Sequence, residues 1–102
     1  MNKSFVITGL LLILCATPCR AGFIIAEKLA KDCQNEKCTA YIQGAVDALL
    51  YMRPRSICIP LKTSAGQIES IVKKYAAAHP EGWRRNAGGE IYKALCEAYP
   101  CR

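Results

Sequence analysis

The sequence predicts an all-α fold, a small four-helix domain stapled by disulfides that follows an N-terminal signal peptide. Apolar residues recur at spacings of three and four along most of the chain, and no alternating run of useful length indicates a strand. The chain has 102 residues and seven cysteines, a density typical of small exported domains that need covalent links. A short apolar segment close to the first residue has the character of an export signal.

Residues 1–21 are interpreted as that signal peptide. Lys3 gives the segment a positive charge, and the apolar run 5–16 has the length of a signal-peptide core. The run is shorter than the roughly 20 apolar residues that a transmembrane helix needs. Small residues stand at the −3 and −1 positions ahead of Gly22, where cleavage is expected. The predicted mature domain is therefore residues 22–102, without a stable membrane anchor after cleavage.

Four helices are expected in this domain, each with an apolar face at helical spacing. They are predicted at 23–32, at about 37–52, from Thr63 or Ser64 to a stop at Pro80, and at about 84–98. Ser64 with Gln67 three residues later forms a capping-box pattern, which fixes the start of the third helix. Pro54, Pro80 and Pro100 end the helices before them, because proline disfavours helical backbone in the preceding residue.

The apolar faces of these helices predict the core, and three glycines lie within two of the helices. The residues expected to face inwards are Phe23, Ile24, Ala26, Leu29, Ala30, Cys38, Tyr41, Ile42, Ala45, Val46, Leu49, Met52, Ile68, Ile71, Val72, Tyr75, Ala87, Ile91, Ala94, Leu95 and Ala98. Gly44 lies inside the second helix, where glycine costs up to about 1 kcal/mol relative to alanine. We interpret it as a point of close helix packing. Gly88 and Gly89 weaken the first turn of the fourth helix.

Five cysteines lie in residues 22–102. The first and second helices meet at a short turn, which would place Cys33 near Cys38. The third and fourth should be antiparallel, which would place Cys58 near Cys101. We expect these two disulfides, while noting that four cysteines allow three pairings. Cys96 is then left over, as an inert half-buried thiol, a bridge to another chain, or a competing partner for Cys101.

The charge balance argues against nucleic acids as partners. Without Lys3 and Arg20, twelve basic residues face eight acidic ones, which leaves a net charge of about +4. The cations are scattered and are not interleaved with aromatic residues, so nucleic-acid binding is not expected. A mildly basic surface would instead steer the protein towards an acidic partner.

Groups with catalytic or metal-binding potential are few. The single histidine, His79, and cysteines in an oxidising compartment do not make a metal site. Residues 22–102 contain no C-x-x-C redox motif. We therefore expect no catalytic residue, no metal, no cofactor and no enzymatic activity. The alternative is a thiol-dependent enzyme, which would have to pair Cys96 with His79.

Three segments together resemble a known family. They are "AYIQGAVDAL" at 40–49, "ICIPLKTSAGQIESIVKKYAAAHPE" at 57–81 and "ALCEAYPC" at 94–101. Each is short, but their order and spacing are similar to those of the Tai/Rap family of immunity proteins for type VI secretion amidase effectors. The resemblance covers most of the mature chain. Cys96 departs from it, because a polar helix residue would be expected there.

The resemblance implies a small helical periplasmic protein with no activity of its own. Such proteins bind a peptidoglycan-cleaving amidase delivered by a sister cell and block its groove, and they often dimerise, so a homodimer is one expected state.

The inserting element of the family matches the turn at 79–85, so Glu81, Trp83, Arg84 and Arg85 are the expected partner-binding residues. Tryptophan and arginine are enriched at interface hot spots. The alternative is that Trp83 packs back over the helices while the arginines only solvate a helix start.

Another function class fits the same build. A small periplasmic stress chaperone, or an orphan helical binding module without an effector, would also be stapled, helical and free of catalytic groups. A single tight partner would favour the immunity protein, whereas stress-dependent exposure of apolar surface would favour the chaperone.

Overall fold

The computed structural model describes residues 22–102, so the predicted signal peptide at 1–21 lies outside the described residues. The described chain is all-α, as predicted: α1 is Ala26–Lys31, α2 is Glu36–Met52, α3 is Ala65–Ala78 and α4 is Ala87–Ala98, with a 3₁₀ turn at Pro80–Gly82 between α3 and α4. Extended pairing within these residues is limited to two isolated bridges. None of the described helices is long and apolar enough to cross a membrane.

Side chains cap three of the helices. Ser64 accepts a hydrogen bond from the Gln67 backbone N–H at 3.1 Å, and the Gln67 side chain accepts one from the Ser64 N–H at 2.9 Å. This confirms the predicted capping box at the start of α3. The Asn35 side chain caps α2 by accepting from the Cys38 N–H at 3.0 Å. These bonds satisfy amide groups that the first turn of a helix leaves without intrahelical partners.

Two helices begin later than predicted. The fourth starts at Ala87 rather than near Arg84, because Asn86 is its N-cap and accepts from the N–H groups of Gly88 and Gly89 at 2.7 and 3.3 Å. The weak glycine turn is thus held by a side-chain cap. The first helix starts at Ala26 rather than Phe23, because the residues before it run extended beside the start of α4.

The core forms where the four helices meet. Its largest fully buried side chains are Leu29, Ile42, Val72, Ile91 and Leu95. Three residues expected to face inwards do not. Phe23 is 90% exposed because it precedes α1, and Met52 is 70% exposed in the last turn of α2. Ala98, the last residue of α4, is also exposed.

Gly44 does not mark close helix packing, so that interpretation was wrong. The residue is exposed, and a Cβ atom added to it would have no other group within 4 Å, apart from its own helix backbone. The apolar periodicity of α2 places its neighbours Ile42 and Val46 in the core. Gly44 therefore lies on the opposite, solvent-facing side.

The structure contains the two disulfides that the helix turns predicted. Cys33 is bonded to Cys38 across the α1–α2 turn, with 5.2 Å between their Cα atoms. Cys58, in the loop before α3, is bonded to Cys101 after α4, with 5.0 Å between Cα atoms. Among the described cysteines, Cys96 has no disulfide partner; it is half-buried and packs against the core.

Candidate partner-binding surface

The α3–α4 turn, residues 79–86, is a compact connection closed by backbone hydrogen bonds. α3 ends at His79, and Pro80 begins the 3₁₀ turn. The N–H groups of Gly82, Trp83 and Arg85 donate to the carbonyls three residues earlier, at 3.0, 3.2 and 3.0 Å. Such a turn holds its backbone in one shape, which lowers the entropy lost on binding a partner.

Residues 24–27, which include the first residues of α1, hold this turn and the start of α4 from one side. Three backbone hydrogen bonds join them: Ala87 N–H to Ile24 O at 2.8 Å, Ala26 N–H to Arg85 O at 3.0 Å, and Glu27 N–H to Trp83 O at 3.0 Å. An antiparallel bridge between Ile25 and Asn86 lies among them. The turn is therefore part of the folded body of the protein and has one covered side.

Trp83 packs back onto the domain and is half-buried. Its indole N–H donates to the carbonyl of Ala76 in α3 at 2.8 Å. The ammonium group of Lys31 lies 4.4 Å from the ring centroid, within cation–π range. The alternative reading of Trp83 thus describes its position in the free protein. That its remaining exposed part contacts a partner stays a prediction.

Arg85 lies beside a buried carboxylate that the sequence analysis missed. Glu90 is only 5% exposed. Its Oε1 is 3.2 Å from the Lys93 ammonium and 3.8 Å from the Arg85 guanidinium. Glu90 lies three residues after Ala87 and four before Ala94, on the inner stripe of α4. This spacing indicates an inward-facing position. The prediction did not include Glu90 because a charged side chain is not expected in a core.

Gly82 provides the space for that carboxylate. A Cβ atom on Gly82 would lie 2.7–2.9 Å from the carboxyl atoms of Glu90. None of the described glycines has a positive φ, so Gly82 is needed for its lack of a side chain rather than for an unusual conformation.

The exposed residues of the turn are Pro80, Glu81, Arg84 and Arg85, and the Arg85 side chain is 62% exposed. Arg84 lines an open groove with Phe23, whose ring the sequence analysis had assigned to the core. Lys28, Lys31, Glu27 and Asp32 also line this groove. The structure therefore joins the predicted turn to an exposed aromatic ring and mixed charges from α1.

His79 and Cys96, the two residues that a thiol-dependent enzyme would use, each contact other groups. The His79 ring is stacked on Tyr75, with 3.8 Å between ring centroids, and its Nδ1 is 2.8 Å from the Tyr75 carbonyl. Burial, with smaller contributions from nearby carboxylates, raises the pKa of the Tyr75 phenol. Cys96 packs against the core.

No cluster of three or more His, Cys, Asp or Glu side chains that could hold a metal occurs in the part of the chain that the structure describes.

The fold and this surface define a small helical domain, cross-linked by two disulfides, with a rigid turn exposed on one side. The chain belongs to the family of Rap1a immunity proteins, whose family model matches residues 11–101. This confirms the resemblance seen in the sequence. Comparison with curated proteins gave no match, and comparison with solved structures gave none either.

Family membership indicates an immunity protein for a secreted effector. It implies that the chain binds a cognate effector as an inhibitor rather than acting as an enzyme. Together with the two disulfides, it is consistent with an exported protein.

Proposed function

We propose that this protein is a periplasmic immunity protein that binds a type VI secretion peptidoglycan amidase and blocks its active-site groove. It would protect the producing cell from its own effector and from that of its sister cells. The observation that carries the proposal is the family match over residues 11–101. The amidase class of the effector rests on the resemblance of the three sequence segments to the Tai/Rap proteins.

Inhibition of this kind requires shape and charge rather than catalytic chemistry. We propose that the α3–α4 turn enters the groove, with Arg84 and Glu81 as exposed contacts and Arg85 beside them. Trp83 would act mainly by holding the turn on α3 through its bond to Ala76. A turn that is already ordered loses little conformational freedom on binding, so more of the contact energy remains as affinity.

We also propose that residues 1–21 direct export and are removed before Gly22. The periplasm would then be the compartment in which the disulfides form. Protection should depend on this segment, because the proposed effector acts on the cell wall and not in the cytoplasm.

A protection assay tests the function directly. The full precursor and a form without residues 2–21 would be expressed in bacteria, while the product of the adjacent gene is directed into their periplasm. We expect survival with the precursor and lysis with the truncated form. Lysis despite detectable, oxidised protein would show that this gene product is not the target, and the chaperone or orphan-module alternative would then lead.

The turn is tested by charge reversal. Arg84→Glu should weaken binding to the effector without affecting folding, because Arg84 is exposed and in no ion pair among the described residues. Lys74→Glu makes the same charge change at another exposed position, on α3, and is the matched control. If cells are protected equally well by both variants, the turn is not part of the interface with the effector. Trp83→Ala is less informative, because it also removes a bond that holds the fold.

A further inference from the structure

The net charge of the described domain is concentrated at one end. We call residues 51–64 and 99–102 the basic end; it is held together by the Cys58–Cys101 disulfide. Twelve Lys and Arg and eight Asp and Glu side chains lie in residues 22–102. Four of these cations belong to the basic end, namely Arg53, Arg55, Lys62 and Arg102, and no carboxylate side chain does. The remaining eight cations are matched by eight carboxylates, so the rest of the domain has no net side-chain charge.

The four cations are exposed and unpaired. Every ion pair in residues 22–102 involves a different cation: Lys31, Lys73, Arg85 or Lys93. Two carboxylates lie just outside the basic end: Glu97 lines the groove between α3 and α4 with Lys74, and Asp47 lines a pocket with Ala65 at the start of α3. Neither forms an ion pair with any of the four cations.

The same end exposes large apolar side chains. Leu61 is fully exposed and Tyr51 is 87% exposed, and Met52 lies next to Tyr51 in the last turn of α2. Single exposed apolar residues are common, but three of them between positions 51 and 61, among unpaired cations, favour an interaction site. Apart from Phe23 and Ile25 beside the α3–α4 turn, these three are the large apolar residues that the described domain leaves exposed.

The backbone of the basic end is fixed. Turns are closed by hydrogen bonds from Ser56 N–H to Arg53 O at 3.1 Å and from Thr63 N–H to Pro60 O at 3.0 Å. The Cys58 N–H donates to Tyr99 O at 2.8 Å, beside the disulfide. A rigid loop that exposes a leucine between cations is prepared for a partner, because little order has to be created on binding.

We propose that the basic end is a second contact surface for the effector, separate from the α3–α4 turn. It would bind an acidic surface that surrounds an apolar depression able to receive Leu61. This rests on the proposed function, which supplies a protein partner. Three of the four cations are arginine, whose planar group pairs with carboxylates through two hydrogen bonds.

The arrangement favours a protein over a lipid surface. Helices that bind membranes carry their apolar and basic residues along one amphipathic face. Here the apolar residues come from a helix end and a separate turn, both held in place by a disulfide and local hydrogen bonds. Two separate fixed points suit a partner with its own fixed shape.

The test is a binding titration of the purified product of the adjacent gene against protein purified after expression of all 102 residues. Arg55→Glu/Lys62→Glu should raise Kd by about tenfold or more and reduce its salt dependence, because charge complementarity is reversed. Leu61→Ser should raise Kd by about fivefold with unchanged circular dichroism, since a fully exposed side chain contributes little to folding. Lys37→Glu/Lys74→Glu has the same net charge as the first variant and should change Kd less than twofold.

The outcomes separate the two proposals. Wild-type binding and protection with all three variants unaffected would overturn the basic end as a contact and leave the immunity function standing. Absence of both binding and protection in the wild type would overturn the function, and this inference with it. The basic-end variants could instead bind the effector as wild type does but no longer sediment with phosphatidylglycerol–phosphatidylethanolamine vesicles that the wild-type protein binds. That result would assign the basic end to a lipid surface and overturn the inference.

Discussion

Two glycines, one in a turn and one inside a helix, have opposite roles. Gly82 faces the Glu90 carboxyl group at a distance that leaves no room for a Cβ atom, whereas Gly44 has open space. The exposure of Gly44 follows from the apolar periodicity of α2, whereas the role of Gly82 depends on the carboxyl group that α4 places beside it and could not be predicted from the sequence. The spacing of Glu90 along α4 indicates an inward position, but its contact with Arg85 depends on the turn.

Gly44→Ala should stabilise the protein by about 0.5–1 kcal/mol, since alanine loses less backbone entropy than glycine in a helix interior. Urea unfolding would measure the change. A loss of stability would indicate that something occupies the space beside this face of α2.

Gly82→Ala should destabilise the protein by about 1–3 kcal/mol, because the new methyl group would displace a buried, ion-paired carboxylate. The double variant Gly82→Ala/Glu90→Ala should lose less than the sum of the two single changes, since the clash is then removed. Simple additivity would show that Gly82 acts by some other means.

Glu69 gives the protein a predictable response to acid. Hydrogen bonds from Lys73 at 2.9 Å and from the Thr39 hydroxyl at 3.0 Å lower the pKa of this carboxyl group, although burial acts in the opposite direction. A lowered folded-state pKa means that the carboxylate stabilises the fold above its ordinary pKa of about 4.3. This stabilisation is lost as the pH falls through the folded value.

Glu69→Gln should therefore cost about 0.5–1.5 kcal/mol near neutral pH. The difference from wild type should shrink as the pH falls below about 4.3. Unfolding curves at several pH values would measure it, with Asp47→Asn, at an exposed position inside α2 and in none of the ion pairs of residues 22–102, as the control. A difference that stays constant down to low pH would contradict this account.

At the scale of the elements, local signals predicted the structure well. The capping box of α3 and the helix stops depend on neighbouring residues, so the sequence contains the necessary information. The start of α4 was predicted too early because Asn86 caps this helix. The start of α1 was predicted too early because residues 24–27 pair with residues 83–87. No local pattern could reveal a contact between segments so far apart in the chain.

The two disulfides should contribute unequally. In the chain-entropy treatment, a link across 43 positions, as in Cys58–Cys101, is worth about 4 kcal/mol, and one across 5 positions, as in Cys33–Cys38, about 2 kcal/mol. Paired serine substitutions at each site, compared by thermal unfolding, would measure both. Equal losses would show that residual structure in the unfolded chain, rather than loop length, sets the effect.

For the whole molecule, the sequence predicted the fold class and the family but not the distribution of its charge. Composition gives a net charge of about +4 for residues 22–102. It does not show that the Cys58–Cys101 disulfide brings Arg102 beside residues 51–64, so that the cations of the basic end form one unpaired group. Of the predicted partner-binding residues, Glu81, Arg84 and Arg85 are exposed and Trp83 is half-buried. Their contact with a partner stays a prediction.

The pairing of residues 24–27 with residues 83–87 also sets an order of events during synthesis. A chain made from its N-terminus releases Ile24 some sixty positions before Ala87, its hydrogen-bond partner. Until α4 has been made, the backbone just after the proposed cleavage site has nothing to pair with. The proposed cleavage before Gly22 would therefore meet an unpaired backbone until residues 83–87 have joined residues 24–27.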